Sequence, residues 1–177
     1  FFLPQIVKGF GLSNLMTGLV TAIPYTVGAV GLVLWGLSSD RHRERRWHLI
    51  VASALAGFAL VVAGLLHQSY LALVAISFTT VGIYGARACF WPMPSLFLTG
   101  TAAAGGIALI NSVGALGGYV GPFIVGWIKD STKSFEAALY FLAACALLSA
   151  VITFLATRAT HGPKAPVPAD EKRLAPQ

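Results

Sequence analysis

Long uncharged stretches alternate with short polar ones along most of this chain. Leu15 to Leu37 carries no charged residue, and as a helix it would extend about 34 Å, enough to cross a bilayer. Leu49 to Leu66 is a second such run. Tyr70 to Leu98 is a third, and at about 43 Å if fully helical it is too long to stand upright. It must tilt, bend or protrude, and Pro92 and Pro94 supply a bend. Ala103 to Ile128 and Ala137 to Ala156 complete five spans. Ahead of them, residues 1–14 read as the end of a membrane helix cut from a longer chain, followed by an external loop. Gly9 and Gly11 mark that turn, and Ser13 or Asn14 caps the next helix. Behind them, residues 158–177 are rich in Pro, Lys, Asp and Glu and read as a disordered cytoplasmic tail. The expected fold is all-α: a polytopic membrane bundle whose five-helix body covers residues 15–157, with the first of six helices truncated.

Composition supports this reading. Hydrophobic residues make up 56% and charged residues 10%, against about 45–50% and 25% in soluble domains. That excludes an ordinary soluble enzyme. The formal charge of +6 would suit nucleic acid if the cations were dispersed over a face. They cluster instead beside apolar spans, at Arg41–Arg46 and in the tail, as cytoplasmic loops do. With the Arg41–Arg46 loop inside, Arg158, Lys164, Lys172 and Arg173 are also inside, and only Lys8, Lys129 and Lys133 lie outside. The carboxy-terminus is then cytoplasmic.

No chemistry-bearing cluster is expected. Cys89 and Cys145 both fall in apolar runs and read as small buried hydrophobes, without disulfide or metal-ligand spacing. His42, His48, His67 and His161 sit at span ends or outside, and no acid lies within a span, so an intramembrane enzyme lacks its parts. Neither a cofactor nor a metal is implied.

Polar and helix-breaking residues between Arg87 and Pro122 stand where lipid would penalise them, so protein or a water-filled path must cover them. Arg87, near mid-span on this reading, either attracts an anionic substrate or snorkels to the interface and pairs structurally. Trp91, four residues on, shares its helix face and either stacks on a flat ligand or packs between helices. Asn111, with Ser112 beside it, either bonds ligand oxygens or makes an interhelical hydrogen bond. Gly114 with Gly118, and Gly117 with Gly121, form overlapping G-x-x-x-G pairs before Pro122, a device for close helix packing and sliding.

Gly36-Leu37-Ser38-Ser39-Asp40-Arg41, followed by Arg45 and Arg46, resembles the loop signature of the major facilitator superfamily, with three rather than two residues between Arg41 and Arg45. In physical terms Gly36 lets a helix approach, Asp40 faces the positive end of a neighbouring helix, and the arginines hold to the membrane surface. Phe2 to Lys8, Phe90-Trp91, and Phe97-Leu98-Thr99-Gly100 through Gly121-Pro122 are similar to the carboxy-terminal half of the anion:cation symporters, the branch that moves phthalate, tartrate, hydroxyphenylacetate and related organic anions. The resemblance implies a six-helix half of the major facilitator fold and proton-coupled symport of a carboxylate by alternating access in a bacterial inner membrane. It also implies that Trp91 and Asn111 face the substrate cavity. Many members carry a second Asn where this chain has Ala115. The coupling acid and a key substrate arginine are implied to belong to the missing amino-terminal half. The implied partners are a small organic anion, protons, the lipid bilayer and that half, with no nucleic acid. The alternative is a non-transporting membrane fragment, or a docking partner of another helical bundle.

Overall fold

The structure, a computed structural model, describes residues 3–67, 69–96 and 98–159. Among them are six α-helices, one short 3-10 turn and no strand. The helices are α1 (Leu3–Lys8), α2 (Asn14–His42), α3 (Arg45–Leu65), α4 (Leu71–Phe90), α5 (Gly100–Thr132) and α6 (Glu136–Ala159), with the 3-10 turn at Pro94–Leu96. α2 to α6 are each long and apolar enough to cross a membrane, as the hydropathy pattern requires. Of the tail expected over residues 158–177, Arg158 and Ala159 belong to α6, and the rest, with His161, Lys164, Lys172 and Arg173, lies outside the described residues.

The two boundaries that differ most from expectation each have a local cause. The charged stretch after Leu37 is not a loop: α2 continues through it to His42. Arg43 then takes a left-handed conformation (φ 53°). Its N–H donates to the Asp40 carbonyl and the Glu44 N–H to the Ser39 carbonyl, closing the helix end within two residues. The third span is shorter than its apolar run. α4 stops at Phe90 because Pro92 and Pro94 lack the N–H a helix needs, and a proline disfavours helical geometry in the residue before it.

The packed body is a row of helices in the order α2, α4, α3, α6, with α4 wedged between α2 and α3. Its contacts are made by small residues, as expected where lipid supplies no hydrophobic drive for helices to associate. A Cβ on Gly82 would lie 2.6 Å from the Ala52 carbonyl oxygen and 2.7 Å from the Ala56 nitrogen, so α4 and α3 touch backbone to backbone. Gly28 sits against Thr80 and Tyr84, Gly31 against Val81, Gly85 against Trp35, and Gly57 against Leu147. The stub α1 buries Leu3 and Val7 against Leu60, Ala63, Ala75, Ile76, Leu139 and Ala143.

α2 runs through Pro24 unbroken. Beside it the buried Thr80 hydroxyl lies 2.7 Å from the Pro24 carbonyl and 2.8 Å from the Ser77 carbonyl of its own helix, sharing one hydrogen between them. Thr80→Val keeps the shape and removes that donor. It is expected to lower unfolding stability in detergent by about 0.6–1.7 kcal/mol, the range for interhelical bonds in membranes, as measured by a thermal unfolding series.

α5 stands apart from this row. Its main contacts are with α6 and with the Pro94–Leu96 turn, and Val125 is its one fully buried residue among those described.

Candidate functional site

α2 and α4 run in the same direction. Gly85 rests on Trp35, and the place of a Cβ on Gly36 lies 3.8 Å from the Ala88 Cβ, an ordinary contact. Arg87 therefore stands level with the last turns of α2, near the Arg43–Glu44 connection, and not at mid-span as its place in the apolar run predicts. Being in the last turn of α4, it meets the negative end of the helix dipole. Its side chain is exposed and has no ion-pair partner among the described residues.

Trp91 closes α4, its N–H donating to the Arg87 carbonyl at 3.3 Å. Its ring meets Phe90 edge to face at 5.7 Å and is 37% exposed. Asn111 lies about 17 Å along α5 from Gly100. It is exposed, and its amide has no partner among the described residues. The Ser112 hydroxyl donates to the Ala108 carbonyl at 2.9 Å, within its own helix. Beyond that backbone bond, no hydrogen bond, ion pair or ring contact joins the side chains of Arg87, Trp91 and Asn111 among the described residues.

The glycines that follow share this openness. Cβ atoms on Gly114, Gly117, Gly118 and Gly121 would meet nothing within 4 Å. Pro122 is half-buried inside α5. Large apolar residues on α5 are equally bare: Leu116 is 66% and Tyr119 76% exposed. A helix that presents Asn, Ser and a glycine stripe has a face shaped for close contact, and among the described residues that face has no neighbour.

At the basic end, Asp40 and Arg45 form an ion pair at 2.8 Å across the α2–α3 connection. Arg45 opens α3, so the carboxylate also lies at the positive end of that helix. Arg46 sits over Trp47 at 5.3 Å and Phe154 at 5.8 Å, and Arg158 over Phe154 at 6.0 Å, tying the start of α3 to the end of α6. Arg41 is exposed and unpaired among the described residues. Cys89 is buried as expected, whereas Cys145 is exposed on α6.

One feature escaped the sequence reading. An apolar groove of about 240 Å3 continues the buried face of α1, from Leu3 and Ile6 past Tyr25, Thr80, Ile83 and Tyr84. Tyr25 and Tyr84 were legible as aromatic hydroxyls inside uncharged runs. Only the convergence of α1, α2 and α4 brings them to one groove.

Comparison with known proteins fits this geometry. The profile of the Major Facilitator Superfamily matches residues 1–176. A protein of Agrobacterium vitis named "Putative tartrate transporter" is 46% identical over 92% of this chain and 36% of its own length. The "Quinolone resistance transporter" of Acinetobacter baumannii is 41% identical over 87% of this chain and 36% of its own length. The "Probable galactarate/D-glucarate transporter GudP" of Bacillus subtilis is 28% identical over 88% of this chain and 35% of its own length. The chain thus spans about a third of the length of the curated relatives it matches. No solved structure matches it. With five apolar spans, four of them packed through glycine contacts, and a profile match across nearly all its residues, the chain belongs to the Major Facilitator Superfamily.

Proposed function

We propose that this chain is the carboxy-terminal half of a secondary transporter that moves a small organic carboxylate across a bacterial inner membrane, by proton-coupled symport with alternating access. The observation that carries the reading is the bare face of α5. Asn111 stands uncovered on a membrane-spanning helix beside Ser112, Gly114, Gly117 and Gly118, and lipid would penalise its unpaired amide. A second bundle facing α5 covers them and encloses a polar path between the halves. The relatives' extra length is enough to supply that bundle.

The anion class rests on the printed names of the tartrate and galactarate/D-glucarate relatives. Trp91 and Asn111 are assigned to the substrate, with Ser112 beside them. Arg87, at the basic end of α4, is assigned to drawing the anion toward the path. The acids among the described residues, Asp40, Glu44, Asp130 and Glu136, lie at helix ends or in connections, so the coupling proton is carried by an acid of the amino-terminal half. The basic end, with Arg41, Arg43, Arg45, Arg46 and Arg158, faces the cytoplasm.

Tartrate uptake into liposomes holding the full-length gene product tests the reading. Uptake is expected to rise when the outside is made acidic and to collapse with a protonophore. Uptake indifferent to the proton gradient would remove the coupling, and no uptake of tartrate or galactarate would remove the substrate class. The second reading, a docking partner of another helical bundle, draws on the same bare α5 face and predicts no uptake at all.

A further inference from the structure

A second cleft lies away from α5. α4 wedges α2 and α3 apart, so the two helices are joined by Arg43 and Glu44 and scarcely touch below that connection. The gap between them, of about 370 Å3, is lined by Leu34, Trp35 and Ser38 on one wall and Trp47, His48 and Val51 on the other. That volume falls in the range of ligand clefts, about 300–1,000 Å3. Its lower part is apolar and lies on membrane-spanning helices, where Leu34 and Val51 are uncovered by protein.

The upper end is polar and fixed. The Trp35 indole N–H donates to the His48 carbonyl at 3.1 Å, and the Ser38 hydroxyl lies 3.1 Å from His48 Nε2. His48 Nδ1 donates to the Glu44 carbonyl and His42 Nδ1 to the Ser38 carbonyl, and the two imidazoles stand 5.8 Å apart. Each ring is thereby held with Nδ1 protonated. His48 Nε2 is occupied by Ser38, while His42 Nε2 has no partner among the described residues. Arg41 stands seven residues after Leu34 and three after Ser38, on the same helix face and one turn above the cleft.

Charge at this mouth is unbalanced. Four arginines stand against two acids between Asp40 and Arg46. Asp40 is engaged by Arg45 and Arg46 by aromatic rings, which leaves Arg41 and Arg43 exposed and unpaired opposite the single free carboxylate of Glu44. A soluble anion would be drawn to the arginines but would gain nothing from the apolar walls. A phospholipid matches both parts. Basic pockets between membrane helices bind acidic headgroups, and tryptophans gather at that depth.

We propose that the α2–α3 cleft holds an anionic phospholipid, one acyl chain lying between Leu34 and Val51 and the headgroup phosphate meeting Arg41, His42 and Arg43. The chain shields apolar walls that α4 keeps apart, and the phosphate neutralises the excess cation. Bound there, the lipid braces the α2–α3 connection at the membrane surface.

Native mass spectrometry of the full-length protein, released from detergent after exposure to phosphatidylglycerol or phosphatidylcholine, tests this. Each surface arginine contributes about five-fold to attraction for acidic lipid. Phosphatidylglycerol is therefore expected to be retained well above phosphatidylcholine, and Arg41→Gln with Arg43→Gln to cut its retention by about twenty-fold or more. Val51→Trp, which fills the cleft, is expected to reduce retention with both arginines in place. The arginine variants change exposed side chains on a closed helix end and keep the wild-type elution profile, so they report on binding even if Val51→Trp fails to fold. Equal retention of the two lipids, retention unchanged in the arginine variants, or displacement of the lipid by millimolar glycerol phosphate would each overturn the proposal.

Discussion

Asn111→Ala in the full-length protein is expected to raise KM for the transported anion by about ten-fold or more, the worth of one lost hydrogen bond to a charged group. The expectation follows from what Asn111 lacks. Its amide has no partner among the described residues and lies on the most exposed helix of the chain. The Ser112 hydroxyl is engaged by the Ala108 carbonyl, so Ser112→Ala is expected to change KM less. Trp91→Ala is expected to act in the same direction as Asn111→Ala, through lost stacking on the anion's carboxylate or carbon skeleton. Uptake kinetics and thermal unfolding on the same preparations separate the two roles open to Asn111. A raised KM at unchanged melting temperature places the amide on the substrate. A lowered melting temperature at unchanged KM makes it an interhelical contact with the other half, and removes it from the site.

The largest loss of stability is expected from Gly82→Val. At this position an added Cβ meets the Ala52 oxygen and the Ala56 nitrogen, both backbone atoms of α3. A flexible side chain could swing aside, but helix backbone cannot, so α3 and α4 must separate. Overpacking costs about 1–3 kcal/mol in a core that can relax, and the α3–α4 interface has little room to do so. The separated helices would also lose the neighbouring Ala52 and Ala56 contacts. The variant is expected to fall in the upper part of that range or beyond, seen as a lower melting temperature and a broadened elution profile. A well-behaved Gly82→Val protein would mean that α3 and α4 do not approach as described. Gly117→Val is the informative contrast. Its added Cβ meets nothing within 4 Å among the described residues, so destabilisation it causes in the full-length protein reports a neighbour from outside them.

The two glycine groups show where sequence reading succeeds and where it stops. The G-x-x-x-G run on α5 stood out because its spacing is regular, yet it has no partner among the described residues. The glycines that do hold helices together, Gly28, Gly31, Gly57, Gly82 and Gly85, were not singled out. Each is half of a contact whose other half lies on a different helix, and spacing along one helix says nothing about what stands opposite. Arg87 illustrates the same limit in another form. Counting along the apolar run put it at mid-span, but Pro92 and Pro94 end the helix early and leave it at the basic end. The prolines were visible. Their consequence depended on whether the helix bends and continues or stops.

The sequence by itself determined that this is a helical membrane protein of five full spans, with most of its cations gathered beside span ends and no acid within an apolar run. Those properties follow from the hydrocarbon's intolerance of charge and of unpaired backbone groups, which acts on each segment separately and leaves its mark in local order. Only the tertiary structure decided which faces are covered. It set α4 between α2 and α3, opened the cleft below Arg43, and left the Asn111 face of α5 without a neighbour among the described residues. Burial is a relation between segments far apart in the chain, settled by which backbones can come close, and no single stretch of residues records it.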